Sequence, residues 1–378
     1  MSKSFPSKRA SSLAHPRLGV ISVYRSCRRL ASGLKADTFW GQLVRRLGIA
    51  LLVIYIVVSF TFFLIRLMPG NAATYMYYQL IRNGAMSPQA ALQQVQAYYG
   101  VSVKAPLWQQ YLQYLGQLAR ADFGKSILYT GTPVVHIIVN AIPWTVLVVG
   151  VALLVSFVLG CAVGTLMAYF RQSRFMQALG FLMTVLNAVP NYVIAVLLLY
   201  WLADLNHVFP VGGAYAVGLP AALSAAFIGS VLMHALLPII AHAVSGVGGW
   251  ALAMKGSVTT TLGEDHITAA KYRGLLERRI LASYVGRNAL LPMATSLGLS
   301  FGYMFGGSVF IETLFNYPGL GYYLVSAVNG RDYPLMMGCF ILITASVVIG
   351  NVVTDLTYQR LDPRTKANSG AARVSEGA

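Results

Sequence analysis

WTVLVVGVALLVSFVLGCAVGTLMAY, residues 144–169, contains no Asp, Glu, Lys, Arg or His. The hydrocarbon core of a bilayer is about 30 Å thick and takes about 20 helical residues to cross, so this run is long enough to span it. Further apolar runs occupy residues 47–68, 175–201, 296–314 with an approach from 290, and 335–356. The low-charge stretch 217–254 is too long for one crossing and short for two. Before it, residues 202–216 carry no Lys or Arg, whereas residues 255–287 carry Lys255, Lys271, Arg273, Arg278, Arg279 and Arg287. Basic loops stay on the cytoplasmic side, so the two flanks lie on opposite sides and one net crossing is expected, over 230–254, with 219–228 at the interface.

Composition agrees with this reading. The 378 residues are 57% hydrophobic and only 10% charged, where a water-facing surface needs about a quarter to a third charged residues. The net charge of +17 would suit a nucleic-acid partner only if the basic residues were clustered on a soluble face. Instead they fall between apolar runs. With a cytoplasmic N-terminus, inner segments hold ten of the 28 basic residues at 1–46, then Arg171 and Arg174, then the six named above, then Arg360, Arg364, Lys366 and Arg373. Outer segments hold Arg82, Lys104, Arg120, Lys125 and Arg331, and Arg66 at the end of the first helix can snorkel. The expected fold is an all-α polytopic membrane protein with about six transmembrane helices, both termini cytoplasmic, and a small helical extracytoplasmic loop domain after the first helix.

The expected divisions are a basic, disordered cytoplasmic extension at 1–40, the first transmembrane helix at 41–69, an extracytoplasmic region at 70–142, a five-helix transmembrane domain at 143–364 and a disordered tail at 365–378. The extension has no apolar core of a cleavable signal, although its Arg-rich, Ser-rich character also resembles an organellar transit peptide. In the outer region, Ser87-Pro88 opens a Gln-rich helical pattern through Tyr99, and Leu107, Tyr111, Leu112 and Leu115 recur at helical spacing. Cys161 and Cys339 lie in apolar runs and Cys27 in the basic head, which gives neither a disulfide framework nor metal spacing.

Chemistry-bearing patterns are sparse. A membrane-embedded enzyme or a secondary transporter needs ionisable groups inside its spans, yet only 11 acids exist and no paired-acid, HExxH or GxSxG pattern occurs. His234 and His242 are candidate pathway residues on the fourth helix, with packing as the alternative role. Gly124-Lys125-Ser126 resembles the end of a phosphate loop, but Ala119 stands where its first glycine belongs. Any energy taken from ATP must therefore come from a partner chain, and no cofactor or metal is expected on this one.

The informative loop is KGSVTTTLGEDHITAAKYRGLLERRILASYVGRNALLP, residues 255–292. Gly263-Glu264-Asp265 places acids at a helix N-terminus, where the macrodipole favours them. Ile267, Ala270 and Gly274 follow at spacings of three and four, predicting one small-residue face that a partner's surface can approach closely. An ordinary interfacial helix is the alternative.

This loop resembles the cytoplasmic signature of ABC importer permeases, EAA followed three residues later by Gly. Here it reads Thr268-Ala269-Ala270, Lys271-Tyr272-Arg273, Gly274, without the acid. The surroundings are similar to the dipeptide, oligopeptide and nickel branch of that family: LVRRLGIALLVIYIVVSFTFFLIRLMPGN (43–71), YYGVSVKAPLWQQYLQYLGQLARADFGKS (98–126), FPVGGA (209–214), RNALLP (287–292), GGSVFIETLFNYPGLGYYLVSAVNGRDYPL (306–335) and NVVTDLTYQRLDPR (351–364). The resemblance implies a bacterial or archaeal plasma-membrane permease that pairs with a second, homologous permease subunit. It also implies two ATP-binding subunits beneath the pair and an extracytoplasmic solute-binding protein above. Residues 264–275 would be the coupling helix, with Glu264, Asp265, Ile267, Ala269, Ala270, Gly274 and Leu275 meeting the ATPase. Gly298, Gly302, Gly306 and Gly307 would allow close helix approach, and Glu312 and Asn316 would belong to the outer gate. The solute implied is a peptide, with an oligosaccharide or a nickel chelate as alternatives, because GGWALAMKGS and YFRQSRF depart from the family pattern.

Overall fold

The computed structural model describes residues 39–67, 77–78, 80–82, 87–99, 106–129, 131–220, 222 and 224–361. The expected N-terminal extension, apart from its last two residues, and the C-terminal tail lie outside the described residues. Those residues are helical throughout except for turns and one isolated antiparallel bridge, Lys125 to Pro133. Helices α1 to α12 lie among the described residues; five of them are long and apolar enough to cross a membrane, and a bent pair makes a sixth crossing if it counts as one.

α1 is Phe39–Leu67. The two outer-region helices form where the pattern predicts them, α2 at Pro88–Tyr99 and α3 at Leu107–Leu118. α4 runs Val134–Tyr169 and starts ten residues earlier than the quoted run, through Pro143 and a π-helical turn at Val146–Gly150. α5 (Arg174–Ala188) and α6 (Asn191–Leu205) are the two arms of the expected span 175–201, bent by 96°. Val189 is extended and Pro190 follows it; a proline disfavours the helical conformation of the residue before it, which ends the first arm. The unbroken run expected there is corrected to two helical arms.

α7, Ala225–Leu262, has 38 residues and is about 57 Å long at 1.5 Å per residue. Even tilted by about 40° it exceeds a 30 Å apolar layer, so it continues beyond it. The expected interfacial stretch 219–228 is therefore partly the first turn of this helix. α8 is the short Asp265–Tyr272. α9 runs from Glu277 through a π-helical segment, Ile280–Gly286, into Arg287–Gly307. Two short helices, α10 (Val309–Leu314) and α11 (Leu320–Asn329), precede α12 at Tyr333–Leu361.

In lipid no hydrophobic force pulls apolar helices together, so close van der Waals fit has to do it. α4 and α7 achieve it with Ser156, Gly160 and Gly164, one every four residues. A Cβ on Gly164 would overlap the Ala251 carbonyl and sit 2.8 Å from Met254 Cβ; one on Gly160 would overlap Trp250 and sit 3.0 Å from the Val247 oxygen. On α7, a Cβ on Gly246 would lie 2.9 Å from Ser156, and one on Gly248 would lie 2.6 Å from the Met183 carbonyl of α5. α9 meets α12 in the same way: Gly302 lies against Gly350, and Gly298 against Thr354. Gly306 is only in ordinary contact with Ile343, at 3.5 Å.

Gly164→Leu is expected to force α4 and α7 apart at a cost of about 3 kcal/mol or more, read as loss of a monodisperse peak after mild heating of the detergent-purified chain. Gly256→Ala, where a Cβ meets nothing within 4 Å, is expected to leave that profile unchanged.

Candidate functional site

α8 is positioned by its own apolar residues. Ile267 is 0% and Ala270 3% exposed. They pack with Met254 and Val258 of α7, Ala168 of α4, and Ile280, Val285 and Ala289 of α9. Of the face predicted to receive a partner, Ile267 and Ala270 are thus turned into the chain's own core while Gly274 stays exposed, because a short helix fixed by only two apolar residues needs both of them for its seat. The outward face consists of Glu264, Asp265, Thr268, Ala269, Lys271 and Tyr272, and Leu275 is half-buried.

Both ends of α8 are fixed. Glu264 adopts the extended conformation of an N-cap, and Asp265 lies in the first turn and Lys271 in the last, where the macrodipole favours each sign. At the C-terminus the Gly274 N–H donates to the Lys271 carbonyl at 2.9 Å, and Gly274 has φ +70°. A Cβ there would meet nothing within 4 Å, so the requirement for glycine is conformational. His266 links α8 to α9: its Nδ1 lies 3.0 Å from Glu264 Oε2, and Asn288 Nδ2 lies 3.2 Å from its Nε2. The Tyr169 hydroxyl at the end of α4 donates to Glu277 at the start of α9, and Ser257 Oγ of α7 donates to the Ala289 carbonyl at 2.9 Å.

At the far ends of α4, α7 and α9, Glu312 is 1% exposed. Ser308 Oγ donates to its Oε1 at 2.7 Å, and the Gly321 and Tyr322 N–H groups donate to Oε2 at 2.7 and 3.4 Å. The Leu320 N–H goes to Thr145 Oγ1 at 2.8 Å. The carboxylate therefore receives the open N–H groups at the start of α11. Gly319 is required by this contact, since a Cβ on it would overlap the carboxylate. Glu312 was expected at an outer gate; both its oxygens are engaged within the chain instead. Asn316, expected beside it, is exposed, with φ +46°.

A second buried acid was missed by the sequence reading. Asp332 is 0% exposed; its Oδ2 accepts from the Ser126 hydroxyl and from the Ile127 and Leu128 N–H groups at 2.9 and 3.0 Å, and its Oδ1 accepts from the Leu335 N–H at 3.1 Å. One carboxylate thus closes the N-terminus of α12 and holds the outer-region turn around Gly124-Lys125-Ser126. Hydropathy treats an acid between two apolar segments as a loop residue, so nothing along the chain marked it. The two histidines are not brought together. His234 Nδ1 lies 2.7 Å from the Ser230 carbonyl, whereas the buried Nε2 of His242 makes no hydrogen bond. Their separation of eight positions is about 12 Å along the helix axis.

The model of the binding-protein-dependent transport system inner membrane component family matches residues 160–367, which takes in α8, both ends of α7 and the acids Glu312 and Asp332. The chain belongs to that family. It is 31% identical over 322 residues to the oligopeptide transport system permease protein of Haemophilus influenzae, covering 85% of this chain and 98% of that one. It is 30% identical over 323 residues to an oligopeptide transport system permease protein of Bacillus subtilis, with the same coverage. The dipeptide transport system permease protein of Lactococcus lactis is 28% identical over 324 residues, covering 86% and 98%.

As an inner membrane component, the chain is a multi-pass membrane protein of the bacterial plasma membrane, and its scattered motifs acquire spatial meaning. FPVGGA and the segment around Glu312 are one structure: the Gly213 N–H donates to the Phe315 carbonyl at 2.9 Å, and a Cβ on Gly212 would lie 2.7 Å from that oxygen. The FGKS turn and the GRDYPL segment form another, through Asp332.

Glu312→Ala leaves at least two buried donors without an acceptor and is expected to cost about 2 to 5 kcal/mol, with Glu312→Gln intermediate. A thermal unfolding midpoint unchanged in Glu312→Ala would show that the carboxylate has no structural role.

Proposed function

We propose that this chain is one of two permease subunits of an ATP-driven, binding-protein-dependent importer of peptides, and that α8 is the element through which ATP hydrolysis on partner subunits reaches the translocation pathway. The observation that carries the reading is the geometry of α8. It is a short helix seated rigidly by Ile267 and Ala270, yet it offers a complete outward face of small and polar residues, with Tyr272 89% exposed. The peptide assignment is supported by the names of the relatives, which are dipeptide and oligopeptide systems.

In this reading α8 faces the cytoplasm, in keeping with the distribution of Lys and Arg between the apolar runs. The ATP-binding subunits grip its outward face. When they close on ATP and Mg, α8 is displaced, and α7, α4 and α9 move with it because the Ile267 and Ala270 seat packs against all three, the His266–Asn288 bond ties α8 to α9 and the Ser257–Ala289 bond ties α9 to α7. A ligand shifts a conformational equilibrium only through contacts that differ between the two states; the seat carries that difference from the ATPase into the membrane helices. A second permease subunit completes the pathway, and an extracytoplasmic binding protein presents the peptide at the end that carries Glu312.

The Gly124-Lys125-Ser126 segment has another use. The Ser126 N–H donates to the Thr132 carbonyl at 2.9 Å, its hydroxyl goes to Asp332, and Lys125 bridges to Pro133. Its polar groups are spent on a turn, and this supports placing ATP on separate chains.

Ala269→Arg adds a long charged side chain to the outward face of α8 without touching its seat. It is expected to weaken association with the ATP-binding subunits at least about tenfold, equivalent to about 1.4 kcal/mol, while the unfolding midpoint of the permease stays as in the parent. Undiminished co-purification would remove α8 from the contact. Asn288→Ala keeps that outward face and breaks the link to α9. Its expected signature is an assembled complex that hydrolyses ATP but transports peptide more slowly.

A further inference from the structure

α3 has an apolar surface that its own chain covers only in part. On a helical wheel LWQQYLQYLGQL places Tyr114, Tyr111, Leu115, Trp108 and Leu112 in one continuous sector and Gln109, Gln113 and Gln117 in another, with no charged residue anywhere. The covered part of the apolar sector lies on α1: Tyr114 is 7% exposed, with its ring stacked on Phe62 at 5.4 Å, and the Tyr111 ring lies 5.4 Å from both Phe62 and Phe63. Beyond it, Trp108 is 65% and Leu112 58% exposed.

What lies against those two residues follows from where α3 sits on α1. The outward residues of α1 nearby, Ile56, Phe60, Phe63 and Leu64, are 42% to 66% exposed, on a helix whose apolar stretch Val44–Leu64 is long enough to cross a membrane. An apolar surface that the chain leaves uncovered on a spanning helix is suited to lipid. Tyr111 touches it directly at Phe63, and its hydroxyl lies 2.6 Å from Ser59 Oγ. Ser59 is five residues inside Leu64, about 7.5 Å of helix, which puts α3 at the level where the span ends. The Trp108–Leu112 edge thus continues that apolar surface of α1.

We infer that α3 is an interfacial helix lying along the membrane, with Trp108 and Leu112 in the boundary between phospholipid headgroups and acyl chains and Gln109 and Gln113 turned to water. The chemistry suits that depth: an indole and a leucine one turn apart on a helix without charge, opposed by neutral amides that keep one side hydrated. The outer region would then be fixed twice, to lipid through α3 and to α12 through Asp332, which holds it still above the start of the transmembrane domain.

The test uses the full chain in nanodiscs of phosphatidylethanolamine and phosphatidylglycerol. Cys27, Cys161 and Cys339 are replaced by Ser, and single variants Trp108→Cys, Gln109→Cys, Leu112→Cys and Gln113→Cys are labelled with an environment-sensitive fluorophore. At 108 and 112 emission is expected to shift to the blue, with quenching by lipids nitroxide-labelled near the headgroup about threefold stronger than at 109 and 113. Aqueous iodide is expected to give the reverse order. Equal iodide quenching at all four positions overturns the inference. Shielding of 108 and 112 that arises only when solute-binding protein is added also overturns it, and makes this edge a protein docking surface. If Trp108→Cys does not yield a monodisperse chain, Leu112→Cys alone decides, against its neighbour Gln113→Cys.

Discussion

The close crossing of α4 and α7 is the contact on which the other features depend. Lipid supplies no reason for two apolar helices to prefer each other, and their association rests on backbones near enough for dispersion to act along their whole length. Ser156, Gly160 and Gly164 provide that approach on one side and Gly246 provides it on the other. The result is a rod: α7, 38 residues long, held along α4, with α8 seated at one end and the Glu312 site packed around the other. Without a stiff rod, displacement at α8 would dissipate as local bending.

Each end of the rod uses a different physical device. At the α8 end the device is apolar. Two buried side chains, Ile267 and Ala270, join three transmembrane helices to a short one, and the polar links through His266 and Ser257 add direction to that joint. At the other end it is electrostatic. Two carboxylates, Glu312 and Asp332, accept main-chain N–H groups at the starts of α11 and α12. A buried carboxylate is costly unless its lone pairs are filled, and a helix N-terminus offers unfilled donors at the positive end of its dipole. Each satisfies the other, and Asp332 also draws together segments far apart in sequence, the turn at Ser126 and the start of α12.

Much of this was legible along the chain, and the exceptions are instructive. Hydropathy located the spans because a bilayer imposes a length, and Ser87-Pro88 and the spacing of Leu107, Tyr111 and Leu115 placed α2 and α3 because capping and periodicity are local. The bend between α5 and α6 was not visible, since both arms are apolar and Pro190 reads equally well as a kink within one span. The seat of α8 was read with the wrong face outward: small residues at helical spacing serve equally for packing inward or receiving a partner, and only the neighbours Met254, Ile280 and Val285 distinguish the two. Glu312 could be singled out but its partners could not be read, and Asp332 was not marked at all, because both accept main-chain amides, which a sequence does not distinguish from any others.

The central claim is that the outward face of α8 is held by a separate ATP-binding subunit. The most direct measurement places a photo-crosslinking amino acid at Thr268, exposed on that face, in the assembled transporter within cells. Irradiation is expected to join the permease to the ATP-binding subunit, with a yield that changes when ATP is trapped. Crosslinks to lipid or to extracytoplasmic protein alone, with the ATP-binding subunit never joined, would contradict the account.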